Sequence, residues 1–247
     1  MKTIKNIYYS NDKSNSKVLD IYLPDTNKFD LIIYIHGGAL ECGDKDEIKV
    51  ASEYLLKRNV AIITINYRMY PNAKYPDYIE DSIEAIKWSL DNINNYGECN
   101  NIYIVGTSAG AYISLMLCFN TKLLKDKNID TSKITGYIHN AGQPTSHFNL
   151  LREKNLDSRR VIIDETAPLY YVGLEKEYPR MLFIVTNNDL VGRYEQTMLL
   201  LTTLKDFKYD SSKYKLLVLD GLHCDYVSKL EDNESVFGKI IFDFISE

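Results

Sequence analysis

Gly106-Thr107-Ser108-Ala109-Gly110 stands between the apolar run Ile102-Tyr103-Ile104-Val105 and the run Ala111-Tyr112-Ile113-Ser114-Leu115-Met116-Leu117. A chain that passes from a buried strand into a helix within so few residues must turn sharply, and the neighbouring backbone crowds that turn. The flanking residues therefore have to be small, which Gly106 and Gly110 are. The same turn lifts the central hydroxyl clear of the main chain. Strand, G-x-S-x-G and helix in this order form the pattern of a nucleophile elbow, with Ser108 at its tip. Without further partners the pattern also describes an inert glycine-flanked turn.

The chain around the elbow repeats a strand-then-helix rhythm. Two short alternating runs, Lys5 to Tyr9 and Lys17 to Leu23, are separated by polar residues and predict an N-terminal antiparallel hairpin. Apolar runs follow at Leu31 to Ile35, Val60 to Ile65, Ile102 to Val105, Ile134 to Ile138, Met181 to Val185 and Leu216 to Leu219. Such runs are typical of strands buried on both faces. Ile79, Ile83, Ile86, Leu90 and Ile93 recur at spacings of three and four after Asp77, and Val236, Phe237, Ile240, Ile241 and Phe244 do so near the end. The expected fold class is α/β, a mostly parallel doubly wound sheet in a single domain over residues 1–247. Between Asn140 and Pro179 the rhythm lapses, and residues 140–179 are expected to form a small irregular cap.

Composition narrows the partner. With 29 Lys+Arg against 34 Asp+Glu, the net charge is -5 and no basic block offers a footprint for phosphates. Nucleic acid and anionic membranes are therefore excluded as expected partners, and a small molecule is favoured. Cys42, Cys99, Cys118 and Cys224 show neither a disulfide framework nor metal-ligand spacing. No run approaches the roughly 20 apolar residues of a membrane span, and the first residues lack the core of a signal peptide. Free thiols and these absences together predict a cytoplasmic protein.

A serine hydroxyl attacks only when an imidazole takes its proton, and the imidazole needs an acid to hold its tautomer. Of the four histidines, His36 and His139 end apolar runs and His147 opens the irregular segment, whereas His223 directly follows the last predicted strand. In a doubly wound sheet ligands gather at the carboxyl ends of the strands, so the loops after Val105, Val185 and Leu219 can converge. Asp189 lies in the second of these loops and is the first choice for the acid. Its position also suits a cap for a helix starting near Val191. Asp220 and Asp225 lie too close to His223 along the chain to be preferred. Donors for a negative oxygen can come from the small residues of His36-Gly37-Gly38-Ala39, through the N–H groups of Gly38 and Ala39 together with that of Ala109.

With these residues in place the chain resembles the α/β-hydrolase superfamily, and within it the small carboxylesterase and acetylesterase group related to hormone-sensitive lipase and bacterial feruloyl esterases. The resemblance rests on Leu19-Asp20-Ile21-Tyr22-Leu23-Pro24, His36-Gly37-Gly38-Ala39, Asn66-Tyr67-Arg68, Tyr75-Pro76 with Glu80-Asp81, the elbow, Asp189-Leu190-Val191 and Gly221-Leu222-His223. It implies Ser108 as nucleophile, Asp189 and His223 as its catalytic partners, an oxyanion hole from the backbone of Gly38, Ala39 and Ala109, and no metal or organic cofactor. The chain departs from the family pattern in two places. Ala39 and Leu40 stand where a third glycine and an aromatic residue are common, and Gly192 stands where a proline often follows the valine.

Because the chain begins directly with the hairpin, without a long helical cap, short acyl esters such as those of acetylated sugars are the expected substrates. Phe148, Tyr170 and Tyr171 could instead line a pocket for a feruloyl or other aryl ester, and the same machinery suits an arylformamidase. A fold of this kind can also serve as a binding module with the chemistry lost. Cys224, next to His223, is either a packing residue or an oxidisable neighbour of the base.

Overall fold

The computed structural model describes Met1–Glu247. Its strands are β1 (Lys2–Tyr8), β2 (Val18–Leu23), β3 (Lys28–Ile35), β4 (Val60–Ile65), β5 (Glu98–Thr107), β6 (Gly136–Asn140), β7 (Arg180–Asn188) and β8 (Tyr214–Leu222). They form one sheet in the order β1-β2-β4-β3-β5-β6-β7-β8, antiparallel across β1, β2 and β4 and parallel from β4 onward. The helices are α1 (Lys49–Leu56), α2 (Asp77–Asn92), α3 (Ala109–Phe119), α4 (Lys122–Lys125), α5 (Phe148–Glu153), α6 (Arg193–Asp206) and α7 (Val236–Ile245). A two-stranded ribbon, β9 (Leu230–Glu231) with β10 (Glu234–Ser235), leads into α7. No helix is long and apolar enough to cross a membrane.

Burial on both faces explains the composition of the central strands. Every residue of β4, read V-A-I-I-T-I, is buried, as expected of a strand covered by helices on either side. Along β3 the side chains alternate between the two cores. Leu31, Ile33 and Ile35 join the larger one with residues of α2 and α3, and Ile32 and Tyr34 join the smaller one with residues of α1 and α7. Ser235 starts α7 by accepting a hydrogen bond from the Gly238 N–H at 3.0 Å, and Phe237, Ile241 and Phe244 of that helix are buried.

The predicted parallel strands all form, β4 with the expected ends Val60 and Ile65 and the others with different ones. β1 starts at Lys2 instead of Lys5, because an edge strand gains backbone hydrogen bonds without burying side chains and so leaves little apolar signal. β6 starts at Gly136, since Thr131–Lys133 form a 3-10 turn that holds Ile134 outside the ladder. α6 starts at Arg193, two residues beyond Val191, after Gly192 at φ 77°. Between β6 and β7 the regular elements are α5 and a 3-10 turn at Pro168–Tyr171. This stretch is tied to the body where the Tyr112 hydroxyl of α3 donates to the Thr166 carbonyl at 2.6 Å.

Because β3, β5, β7 and β8 run parallel, their carboxyl ends share one edge of the sheet. The loops at 36–44, 106–110, 186–192 and 221–225 are thereby delivered to one place.

Candidate active site

Ser108 occupies φ 52° and ψ -109°, between the end of β5 and the start of α3. This backbone region favours glycine, and a non-glycine residue held there is strained. The glycines on either side are required by contact. A Cβ on Gly106 would lie 2.2 Å from the Gly110 carbonyl oxygen, and one on Gly110 would lie 2.0 Å from the Ile35 carbonyl oxygen. The Ser108 N–H is anchored on the Asn140 carbonyl at 2.7 Å.

From this turn Ser108 Oγ reaches His223 Nε2 at 2.8 Å, and His223 Nδ1 reaches Asp189 Oδ1 at 2.5 Å. A carboxylate only accepts, so Nδ1 carries the proton and Nε2 is left as acceptor for the serine hydroxyl. The Asp189 side chain is 1% exposed. Burial alone would raise its pKa, but the bond from His223, the imidazole's charge when protonated, and the Thr186 and Leu190 N–H groups outweigh it and hold the carboxyl below its usual range. Asp189 does not cap α6, whose N-cap is Gly192 with no side-chain bond.

The loop after β3 passes the serine at Gly37, where a Cβ would lie 3.4 Å from Ser108 Cβ, and leaves the N–H groups of Gly38 and Ala39 without a partner. Gly37 N–H is taken by Glu47 Oε2 at 2.9 Å. The Gly37 carbonyl faces His36 Nδ1 at 2.7 Å, and the Gly38 carbonyl accepts from Glu41 and Cys42 N–H at 3.0 and 2.9 Å. In a trans peptide the N–H points opposite to the preceding carbonyl, so the N–H groups of Gly38 and Ala39 are both turned away from these partners. Ala109, the first residue of α3, has the orphan N–H of a helix start, reinforced by the helix dipole. Ala39 and Leu40 both adopt positive φ, at 59° and 66°, and Leu40 is fully buried.

Several supporting residues were invisible in the sequence. Asn149 of α5 donates through Nδ2 to the Ala39 carbonyl and so fixes the peptide that follows the proposed donors. Arg193, 4% exposed, donates to the Ala141 carbonyl at 3.1 Å. Burial pushes its pKa down to about 10, against the pull of Asp189, so it stays cationic at neutral pH. Glu47 holds the loop through Gly37. No spacing in the sequence links these positions to the elbow; only the fold does.

The other histidines lie in the core. His36 is fully buried and stacks on Tyr67 with ring centroids 4.4 Å apart, and His147 accepts from the Asn149 N–H at 3.2 Å. His139 lies between Tyr137, Phe119 and Phe183, with Nδ1 2.8 Å from Ser114 Oγ. Burial lowers its pKa to about 3. The unfolded chain takes up this proton below about pH 6.5 and the folded one does not, so the fold loses stability as pH falls from 6.5 toward 3. At pH 5 His139 alone should cost about 2 kcal/mol. Unfolding midpoints measured from pH 7.5 to 5 should fall less steeply in His139→Phe than in the parent, and parallel curves would refute this role. Burial first, then Asp189 and Glu47, push the Cys224 thiol up, so little thiolate is available for oxidation beside His223.

The BD-FAE family model matches residues 19–204. The chain belongs to the BD-FAE family. Its eight-stranded sheet is accordingly the α/β-hydrolase fold, of the feruloyl-esterase-like branch. Solved structures share the architecture of this BD-FAE chain. An esterase B from Lactobacillus Rhamnosis superposes with a TM-score of 0.79 at 16% identity, covering 99% of this chain and 84% of its own. A truncated carbohydrate esterase from gut microbiota gives 0.75 at 21% identity, covering 100% and 95%. In sequence, an isoprenylcysteine alpha-carbonyl methylesterase of Arabidopsis thaliana is 30% identical over 145 residues, 56% of this chain. The BD-FAE chain spans 34% of that relative's length.

Proposed function

We propose that this chain is a serine carboxylesterase acting through an acyl-enzyme intermediate. The observation that carries the reading is the unbroken line from Ser108 Oγ through His223 to Asp189, at 2.8 and 2.5 Å. His223 takes the serine proton as Oγ adds to the ester carbonyl, and returns it to the departing alcohol as the acyl–oxygen bond breaks. Water then repeats the sequence on the acyl-serine and releases the acid. Negative charge on the carbonyl oxygen is met by the N–H groups of Gly38, Ala39 and Ala109. Asp189 fixes the imidazole and stabilises its charged form. Every role is filled by a protein group, so the reaction needs no metal or organic cofactor, and residues 1–247 act as one catalytic domain in the cytoplasm.

The preferred esters carry short acyl groups, including acetylated sugars. The likeness to a carbohydrate esterase supports this preference. Tyr170 and Tyr171 pack edge to face, and the Tyr171 hydroxyl is tied to the Glu165 carbonyl at 2.7 Å within the same segment, so an aryl pocket has less support.

Hydrolysis of p-nitrophenyl acetate, butyrate and octanoate, measured beside Ser108→Ala, tests this reading. Rates should fall with acyl length and vanish in the variant. A preference for octanoate would refute the short-acyl assignment. A folded but inactive parent would turn attention to formyl-aryl amides or to ligand binding without chemistry.

A further inference from the structure

Behind the serine runs a line of polar side chains that the reaction does not consume. Tyr34 of β3, Thr107 of β5, Asn140 of β6 and Tyr226 beyond β8 are each at most 3% exposed. The Tyr34 hydroxyl lies 2.6 Å from Glu47 Oε2 and 2.8 Å from Thr107 Oγ1. Asn140 Nδ2 donates to Thr107 Oγ1 at 3.1 Å, and the Tyr226 hydroxyl donates to Asn140 Oδ1.

Donor and acceptor capacities fix one direction for this line. Tyr226 must donate, because a carbonyl oxygen cannot. Tyr34 has one hydrogen and gives it to the carboxylate, so Thr107 must donate to the Tyr34 oxygen while accepting from Asn140. Burial and the nearby Glu47 carboxylate hold the Tyr34 hydroxyl protonated, and burial does the same for Tyr226. All four hydrogens therefore point toward Glu47, whose Oε2 also receives Gly37 N–H.

Each end and the middle of this line meets a different catalytic loop. Tyr226 lies three residues after His223, Thr107 directly precedes Ser108, and the Asn140 carbonyl holds Ser108 N–H at 2.7 Å. Glu47 anchors the residue before Gly38. We propose that Tyr226, Asn140, Thr107, Tyr34 and Glu47 form a directional hydrogen-bond chain that holds the histidine loop, the elbow and the oxyanion loop in mutual register. They are positioning residues, since none touches the reacting atoms. This rests on the serine-esterase reading of Ser108. The four members from Tyr226 to Tyr34 are buried and only the Glu47 end is exposed, so removing one hydroxyl strands its buried neighbours and releases the alignment of all three loops.

The test uses the full chain and p-nitrophenyl acetate. Tyr34→Phe and Thr107→Val should each lower kcat/KM about tenfold, chiefly in kcat with KM within about twofold, as expected of a small misalignment. Thr107→Ser, which keeps the hydroxyl, should restore near-parental kcat. The double variant Tyr34→Phe/Tyr226→Phe should lose no more than the worse single one. Parental kcat in Tyr34→Phe and Thr107→Val, equal losses in Thr107→Ser and Thr107→Val, or losses that multiply in the double variant would each overturn the proposal. Should Tyr34→Phe fail to fold, the Thr107 pair decides alone. Ser108→Ala assayed in parallel separates the two readings: if it keeps activity, the esterase reading falls and this one with it; if it is inactive while the relay variants match the parent, only the relay falls.

Discussion

Ser108→Gly should abolish ester hydrolysis and make the protein more stable. Loss of the attacking oxygen removes covalent catalysis, a change on the order of 10⁶ in kcat where serine hydrolases depend on it. The backbone effect runs the other way. At φ 52° and ψ -109° Ser108 sits where glycine is at ease and a Cβ is not. Relief of that strain should contribute about 1 kcal/mol, measurable as a higher denaturant midpoint at unchanged slope. Strain retained at the proposed nucleophile is the trade expected of a working site. A Ser108→Gly protein less stable than the parent would show that the turn is not strained, and residual turnover would show that another group attacks.

Gly38→Ala should cost a factor of about 10²–10³ in kcat/KM. Gly38 has φ +104°, and a Cβ there would stand 2.0 Å from the Cys42 carbonyl oxygen. The clash is with backbone, so the loop must move rather than a side chain swing aside. Movement of the loop redirects the N–H groups of Gly38 and Ala39, the proposed donors to the developing oxyanion. If the two glycines formed only a tight turn, the same substitution would lower stability and leave kcat intact. The kcat of folded Gly38→Ala, read beside its unfolding midpoint, separates these cases.

The sequence made the site legible where chemistry and local geometry coincide. Ser108 needs glycine neighbours for steric reasons, and those neighbours are visible as letters. His223 and Asp189 could be placed because apolar runs mark the strand ends, and strand ends in such a sheet converge. What stayed hidden depends on contacts between distant parts of the chain. Asn149 lies 110 positions from Ala39, and nothing in its surroundings distinguishes it from a surface asparagine. Tyr34 reads as one more apolar residue of a buried strand, and only its partners Glu47 and Thr107 give its hydroxyl a purpose. The first residues of β1, Lys2 to Ile4, are hidden for a related reason, since main-chain pairing at an exposed edge needs no buried side chains.

The most direct test is to mix the protein with p-nitrophenyl acetate, quench it in acid during turnover, and locate the acetyl group by peptide mass mapping. The account predicts one acetyl group on the peptide containing Ser108, absent when Ser108 is alanine. Steady turnover with acetyl found on another residue, or with Ser108→Ala as active as the parent, would contradict it.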